Sequence, residues 1–299
     1  MKSLARSLYR SAAEGCAATV AQLSWMEMPF VSVGLRLSRR PGIGRFYRSV
    51  AFRVADRLRR SGRKYRPLSI AGRRLIVDIT EFTTHGLYFT NTRYEPATTD
   101  FLIDALKPGG VFVDVGANHG YFTLIAASRV GASGRVYAFE PNPPVFDQLA
   151  THIRLNGFDD RVQASPVALS DADGEATFYV SQCESNSGLS SLTLTAERLA
   201  LGSLSPDHTV RVRAETFDAW RQRTGLAHID LMKIDVEGAE DRVLSGMRAS
   251  LRDGVIDSIV CETTWDGVVH RQLTEVGYDA RPLESGPGYV NLVFVRRTA

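Results

Sequence analysis

The pattern of apolar and polar positions changes its period repeatedly along the chain. Short runs of branched apolar residues predict buried strands, and segments with apolar residues three or four positions apart predict helices. From residue 111 onward the two kinds of segment alternate, which is typical of a doubly wound, mostly parallel α/β sheet. The strands are predicted at 73–79, 86–91, 111–116, 135–140, 162–169, 210–215, 229–236, 255–262, 278–283 and 291–297. The helices are predicted at 95–106, 121–130, 143–156, 239–248 and 266–276.

The end of the chain and one long connection depart from this alternation. The last two predicted strands follow each other without a helix and form a hairpin, so we expect a seven-stranded sheet with one antiparallel strand at an edge. The segment 181–209 is rich in Ser, Thr and Gly. It is too long for an ordinary connection, which leaves two interpretations, a disordered loop or a functional lid.

Residues 1–66 differ in charge from the remainder of the chain. They carry 15 Lys and Arg against three acidic residues, whereas the other 233 residues carry 21 against 30. Apolar residues among arginines at 45–60 predict a basic amphipathic helix. Its apolar side either packs on the rest of the protein or contacts an anionic membrane. Nucleic acid is not expected as a partner, because no zinc finger or aromatic RNA-binding motif is present.

We therefore expect a basic helical extension at 1–66 and one domain at 67–299, with core motifs at 111–263. The three cysteines lie far apart, which disfavours a disulfide framework and fits a reducing compartment. Acidic residues and a proline interrupt the most apolar N-terminal stretch, so we expect no spanning helix and no secretory signal. The expected location is cytoplasmic, with peripheral membrane contact as an option. The oligomeric state is left open.

The stretch "VFVDVGANHGYFTLIA", residues 111–126, predicts a ligand site directly after a buried strand. In a doubly wound sheet, ligands bind beyond the carboxyl ends of the strands. Gly116 and Gly120 would let a ligand approach the backbone, and Asp114 can accept hydrogen bonds from a cationic amine. The turn lacks the three-glycine dinucleotide pattern, which argues against the alternative of a nicotinamide-dependent oxidoreductase.

The next predicted strand ends in "YAFEPN". Glu140 follows Gly116 by 24 residues, a separation at which an acidic residue can bind both hydroxyls of a ribose. Asn142 is expected at the start of the following helix, before two prolines. An amine acceptor, a glycine turn and a ribose acceptor in this order predict S-adenosylmethionine as the cofactor.

These motifs resemble the FkbM family of S-adenosylmethionine-dependent methyltransferases. The resemblance covers roughly residues 86–296 and includes "YEPATTDFL", "DVGANHGYFTL", "AFEPNP", "VALSDADGEATF", "SGLSSL", "IDLMKIDVEGAE" and "GYVNLVFV". It implies a Rossmann-like class I methyltransferase fold. It also implies cofactor contacts from Glu95, Asp114, Gly116, Ala117, Asn118, Gly120, Glu140, Asn142 and Ala168. Glu95 has the equally plausible alternative of an acidic residue at a helix start.

The second motif, "KIDVEGAE" (residues 233–240), predicts the acceptor side. Strand alternation places Lys233, Asp235 and Glu237 on one face, and Glu262 ends the neighbouring strand. Asp235 or Glu237 could remove the proton of an acceptor hydroxyl. A divalent cation held by Asp235, Glu237 and Glu262 is a less favoured alternative, so no metal site is predicted.

The resemblance implies methylation of a hydroxyl oxygen on a sugar, glycolipid, polyketide or related natural product. The motifs do not identify this small-molecule or glycan acceptor. A non-catalytic membrane-binding or partner-binding module on the same fold is the remaining alternative, and the intact cofactor motifs disfavour it.

Overall fold

The structure is a computed structural model that describes residues 2–38, 40–70, 72–91, 93–183, 186–286 and 289–297. Contacts divide the chain into two compact units. The first lies mainly within Met1–Ile70 and Leu75–Tyr94, and the second mainly within Glu95–Cys183 and Ser187–Ala299. Within the described residues, no helix combines the length and apolar character needed to span a bilayer.

The first unit is built around helices. It contains α1 (Lys2–Gln22), α2 (Ser24–Leu37), α3 (Ile43–Arg60) and α4 (Phe82–Thr90), together with a two-stranded sheet of β1 (Tyr65–Ile70) and β2 (Arg73–Asp78). The predicted helix at 45–60 is α3, whose apolar side is buried through Tyr47, Val50, Val54 and Leu58. Since α3 packs against α1, α2 and α4, most of this apolar side is used inside the unit, whereas Phe52 is 63% exposed.

The predicted strand at 86–91 is wrong, because these residues belong to α4 and its C-terminal cap. Asn91 ends the helix in the left-handed conformation, with φ of 49°, and its N–H bonds to the carbonyl of Gly86. Leu87, Tyr88 and Phe89 are all buried. A contiguous buried run of this kind fits a short buried helix as well as a strand, so the apolar pattern alone could not distinguish them.

The second unit contains the predicted alternation of strands and helices. Its helices are α5 (Pro96–Ala105), α6 (Tyr121–Val130), α7 (Pro143–Leu155), α8 (Ala196–Ala200), α9 (Phe217–Thr224), α10 (Glu240–Ser245), α11 (Arg248–Arg252) and α12 (Val268–Glu275). Its strands are β3 (Val111–Val115), β4 (Arg135–Phe139), β5 (Val162–Ser165), β6 (Val167–Leu169), β7 (Gly174–Tyr179), β8 (Thr209–Glu215), β9 (Ile229–Ile234), β10 (Ile256–Thr263), β11 (Tyr278–Gly286) and β12 (Tyr289–Arg296).

The predicted seven-stranded, mostly parallel sheet is confirmed, with the order β11-β12-β10-β9-β3-β4-β5. The antiparallel strand, β12, lies one position in from the edge and not at the edge. Leu292, Val293 and Phe294 of β12 are fully buried, as an inner strand requires. The edge strand β11 contains Pro282, and proline is tolerated at an edge because it has no N–H to donate to a neighbour.

The predicted strand at 162–169 is two strands in two different sheets. β5 ends at Ser165 and belongs to the large sheet, whereas β6 starts at Val167 and belongs to a three-stranded sheet of order β6-β8-β7. Pro166 lies between them and cannot donate to a strand ladder. The segment 181–209 connects β7 to β8, which pair antiparallel, and includes a 3₁₀ turn at Ser187–Leu189 and the helix α8.

The strand order reverses between β3 and β9. From β3 the chain proceeds to β4 and β5 on one side, and β9 and β10 lie on the other side. Both motifs, "DVGANHG" and "DVEGAE", follow these two neighbouring parallel strands. The carboxyl ends of strands at a reversal of strand order form the crevice in which α/β proteins bind ligands.

Candidate active site

Asp114 lies on β3 directly opposite Lys233 on β9 in the parallel ladder. Its side chain is almost fully buried, and its Oδ2 accepts a hydrogen bond of 2.6 Å from the hydroxyl of Thr123 on α6. Burial raises the pKa of Asp114 to about 6, although the charge of Lys233 and the hydroxyl of Thr123 oppose this shift. The sequence did not single out Thr123, whose position in the first turn of α6 was its only signal.

Gly116 is required where the two motifs touch. A Cβ on this residue would lie 1.9 Å from the backbone oxygen of Asp235, and the residue has a φ of +81°. The N–H of Asp235 in turn donates to the carbonyl of Val115 at 3.0 Å. The sequence interpretation, in which this glycine leaves space for a ligand, therefore needs correction, since the side on which a Cβ would point is filled by protein backbone.

The rest of the first turn is shaped by its own backbone. Ala117 is buried and donates from its N–H to the carbonyl of Phe139 at 2.9 Å, the same carbonyl that accepts from Gly116. Gly120 precedes α6 with a φ of +89°, and a Cβ there would meet the flexible end of Leu149 at 2.7 Å. These contacts fix the path of the turn between β3 and α6.

Glu140 joins this turn to the end of β4. Its Oε2 accepts from the N–H of Asn118 and its Oε1 from the N–H of Asn142, both at 2.9 Å. Burial raises the pKa of Glu140 to about 7, although the two N–H donors oppose this. A carboxylate offers about four lone-pair positions, so Glu140 keeps acceptor capacity on both oxygens. Asn142 lies at the start of α7, but its side chain makes no capping hydrogen bond.

Asn118 carries a buried acceptor without a partner. It adopts a left-handed φ of 49°, and its Oδ1 has no hydrogen-bond partner among the described residues. Leaving a buried acceptor unsatisfied costs roughly 1–3 kcal/mol. A ligand that brings a donor to this turn would remove that cost.

Ala168 lies outside the large sheet. It belongs to β6 and packs in an apolar cluster with Phe178, Leu192, Val212 and Ala239. The predicted strand at 162–169 ends at Ser165, before Pro166, so Ala168 does not lie on a strand of the large sheet. Its contact with the cofactor stays a prediction.

Lys233 and Asp235 form a buried ion pair at the end of β9. The Lys233 ammonium lies 2.7 Å from Oδ2 of Asp235 and 4.7 Å from the centre of the Phe122 ring. Burial lowers the pKa of Lys233, but the charges of Asp235, Glu95 and Asp114 outweigh it and raise the pKa above its ordinary value. The Oδ1 atom of Asp235 is buried and has no hydrogen-bond partner among the described residues.

Glu237 is held by a residue of the 181–209 segment. Arg198, on α8, forms an ion pair with its carboxylate and also donates to the carbonyl of Leu189. Ser191 of the same segment donates to the carbonyl of Val236 at 3.2 Å. Burial and the charge of Asp235 raise the pKa of Glu237 to about 7, although Arg198 opposes this. The segment thus packs on the turn after β9, and the sequence missed Arg198 because ion pairing depends on tertiary structure.

Glu262 lies on β10 opposite Asn291 of β12. Burial raises its pKa to about 8, and the charges of Asp235 and Glu237 raise it further than Lys233 can lower it. Asn291 donates to Oε2 of Glu95 at 2.9 Å. Glu95 precedes α5 in a left-handed conformation with φ of 38° and makes no capping hydrogen bond. Glu95 therefore lies at a helix start, as one interpretation expected, and its charge also acts on both Lys233 and Glu262. Its contact with the cofactor stays a prediction.

The acidic side chains after β9 have separate roles. Glu240 accepts from the N–H groups of Val236 and Gly238, both at 3.1 Å, and so closes the turn.

Among the described residues, one group of acidic and histidine side chains could hold a metal ion, because its ligand atoms all lie within 4.8 Å of one another. It consists of His228, Asp230 and Asp257. They lie at the amino ends of β9 and β10, away from the two motifs. Asp235, Glu237 and Glu262 do not form such a set.

Comparison with known proteins adds the identity of the fold family. The family model described as "Methyltransferase FkbM domain" matches residues 114–279. Methyltransferase sdnD from Sordaria araneosa is 29% identical, over 68% of this chain and 88% of sdnD. The 2-O-methyltransferase NoeI from Sinorhizobium fredii is 30% identical, over 48% of this chain and 60% of NoeI.

A third relative, the 31-O-demethyl-FK506 methyltransferase FkbM from Streptomyces tacrolimicus, is 32% identical over 48% of this chain. The chain spans about three fifths of the length of NoeI and FkbM, and 8% of one further curated relative. The family model covers more than half of the residues and includes both motifs at the reversal of strand order. The chain belongs to the FkbM methyltransferase family.

Proposed function

We propose that this protein transfers a methyl group from S-adenosylmethionine to a hydroxyl oxygen of a sugar, glycolipid, polyketide or related natural product. Membership of the methyltransferase family supports the methyl transfer. The names of NoeI and FkbM, which specify oxygen as the acceptor atom, support a hydroxyl group. The reaction is an in-line displacement in which the bound cofactor supplies the methyl group on a sulfonium.

The turn after β3 has the donor and acceptor groups that this cofactor needs. Glu140 keeps free acceptor positions for the two hydroxyls of the ribose, and its orientation is fixed by two backbone N–H groups. The unpartnered Oδ1 of Asn118 is suited to a cationic amine. Asp114 is buried and bonded to Thr123, so its main contribution is negative charge beneath the turn.

The carboxylates of Asp235, Glu237 and Glu262 have different proposed roles toward the acceptor. Asp235 is the proposed base, because Lys233 orients it through Oδ2 while its Oδ1 is a buried acceptor without a partner. An acceptor hydroxyl that donates to this oxygen would transfer its proton as the bond to carbon forms. Glu262, with a pKa of about 8, is mostly protonated at neutral pH and would position the acceptor by a hydrogen bond. Glu237 is held by Arg198.

The observation that carries the proposal is the unpartnered oxygen of Asp235 at the reversal of strand order. A buried hydrogen-bond acceptor without a partner costs free energy. A substrate hydroxyl that donates to Oδ1 of Asp235 would remove this cost. The neighbouring segment 181–209, which packs on the same turn through Arg198 and Ser191, is proposed to cover the acceptor.

The first test separates cofactor binding from proton transfer. Calorimetry should give micromolar affinity for S-adenosylhomocysteine, and Glu140→Gln should weaken it about tenfold, because a hydrogen bond to a charged group contributes about 1.5–3 kcal/mol. Glu275→Gln, on an exposed part of α12, should bind like the wild type. Equal affinity of all three proteins would contradict the assignment of Glu140.

The second test addresses Asp235 directly. Extracts of glycolipids and polysaccharides from cells lacking the gene supply acceptors for radiolabelled S-adenosylmethionine. Asp235→Asn should lower the rate of label transfer by about 10²–10⁴-fold while S-adenosylhomocysteine affinity changes little. Parallel loss of affinity would assign Asp235 to the cofactor instead. Inhibition by EDTA, reversed by Mg²⁺, would favour the alternative in which a cation activates the acceptor.

A further inference from the structure

The helix α2 in the first unit is oriented with its apolar side outward. Trp25, Met28, Val33 and Leu35 are 71%, 61%, 51% and 43% exposed. At about 100° per residue these side chains and Pro29 share the outward half of the helix. Soluble proteins rarely expose a contiguous apolar patch of this kind unless it binds something.

The orientation of α2 is fixed by its inward side, on which Val31 is buried and the ring of Phe30 lies 4.7 Å from that of Tyr47. Glu27 on the inward half is 5% exposed, and it pairs with Arg66 and accepts a hydrogen bond of 2.8 Å from the hydroxyl of Tyr88. Rotating the helix to bury the apolar residues would expose this ion pair and break it. The outward apolar stripe is therefore enforced by specific contacts within the unit.

Positive charge surrounds the C-terminal end of the stripe. The acidic residues of α1 and α3 are already neutralised, since Glu14 pairs with Arg53 and Arg57, and Asp56 pairs with two further arginines of α3. The exposed arginines without a carboxylate partner among the described residues include Arg36, Arg40 and Arg45. They lie at the end of α2, in the connection and in the first turn of α3.

We propose that the outward face of α2, with Arg36, Arg40 and Arg45, docks on an anionic lipid surface. The face is one convex helix of 14 residues, about 21 Å long, so it offers no groove for a peptide. Tryptophan and methionine insert at the apolar boundary of a bilayer while arginines pair with lipid phosphates. The sequence left lipid contact by residues 45–60 as one of two interpretations, but most of the apolar side of α3 is buried.

A second copy of the chain fits this face less well. Two such faces packed together would bring the same uncompensated arginines close to each other, and like charges that face each other oppose association. Nucleic acid would use the charges but not the stripe, which contains one aromatic residue and several aliphatic ones. An anionic membrane is the partner that matches both the apolar stripe and the charge.

Vesicle flotation with the full-length protein tests this proposal. Vesicles of phosphatidylcholine with one quarter phosphatidylserine should carry most of the protein at low salt, and vesicles of phosphatidylcholine alone about tenfold less. The double substitution Trp25→Ser and Met28→Ser should lower the bound fraction about tenfold or more. The triple substitution Arg36→Glu, Arg40→Glu and Arg45→Glu should abolish the preference for phosphatidylserine.

Matched controls lie in the second unit. Trp265→Ser and Arg248→Glu alter exposed residues of the same types and should float like the wild type. Retained S-adenosylhomocysteine affinity and an unchanged far-UV spectrum exclude misfolding of the α2 variants. No flotation of the wild type, or equal flotation of all variants, would overturn the proposal. A dimer that dissociates on Trp25→Ser and Met28→Ser, without vesicle binding, would overturn it in favour of a second copy.

Discussion

The turns after β3 and after β9 lie side by side, but they are stabilised by different forces. The first is built from backbone hydrogen bonds, in which Glu140 accepts from Asn118 and Asn142. The second is built from charges, in which Asp235 pairs with Lys233 and Glu237 with Arg198. Backbone donors keep their state at any ordinary pH, whereas ion pairs depend on the protonation of both partners. The first turn is therefore fixed mainly by its backbone donors, and the shape of the second turn depends more on charge.

The largest effect should come from breaking the buried ion pair of the second turn. Lys233→Met leaves the carboxylate of Asp235 buried without its cation, which should lower the free energy of unfolding by about 3–5 kcal/mol. The double variant Lys233→Met/Asp235→Asn removes both charges and should recover most of that loss. Denaturant unfolding measures both values. A double variant as unstable as the single one would assign the role of Lys233 to its packing over Phe122.

A smaller effect is expected from the first turn, where the constraint is steric. Gly116→Ala places a Cβ against the oxygen of Asp235 and should cost about 3 kcal/mol, from overpacking together with the positive φ. Gly225→Ala is the matched control, because Gly225 is in the left-handed helical conformation, with φ of 68° and ψ of 21°, and has nothing within 4 Å of the added Cβ. It should cost about 1 kcal/mol. Similar unfolding midpoints for the two variants would mean that the contact with Asp235 relaxes without cost.

The third effect is the pH dependence of stability, to which buried carboxyls of both turns should contribute. Burial raises the pKa of Glu237 to about 7 and that of Glu262 to about 8, against roughly 4.3 in an unfolded chain. The folded protein therefore binds these protons more tightly. The resulting stabilisation is complete below about pH 4 and is lost as the pH rises through 7 to 8.

Scanning calorimetry of the ligand-free protein should show the Tm falling by several degrees between pH 5 and pH 8. Glu262→Gln removes one of the titrating carboxyls and should flatten this slope. Glu140 contributes a similar slope from the first turn, because burial raises its pKa to about 7. A Tm that is constant over this range would mean that these carboxyls do not titrate between pH 5 and pH 8. A slope that Glu262→Gln leaves unchanged would mean that Glu262 does not contribute to it.

The sequence predicted what depends on local pattern. Alternating periods predicted the large parallel sheet, because the period of apolar positions is a property of neighbouring residues. The sequence could not predict that β12 lies inside the sheet or that Ala168 lies in a second sheet. Both outcomes depend on which strands pair with each other in the folded protein, and local sequence propensity does not determine this pairing.

The reason for Gly116 was also beyond the sequence. Glycine allows close approach of backbone or ligand equally well, and only the tertiary structure identifies Asp235 as the neighbour. The pairing of Arg198 with Glu237 joins residues 39 positions apart, so no spacing rule could find it. Likewise, the arginine-rich helix α3 was a reasonable membrane candidate until most of its apolar side was found buried within its own unit.

The break at Pro166 separates the sheet that carries the two motifs from the sheet that carries the 181–209 segment. The strands that carry the two motifs belong to one hydrogen-bonded sheet. The 181–209 segment connects β7 and β8, which belong to another sheet. Lengthening such a loop costs little, since each doubling of its length adds only about 0.6 kcal/mol of closure entropy. The length of the 181–209 segment can therefore change what packs on the second turn without changing the strand register around Gly116 and Glu140.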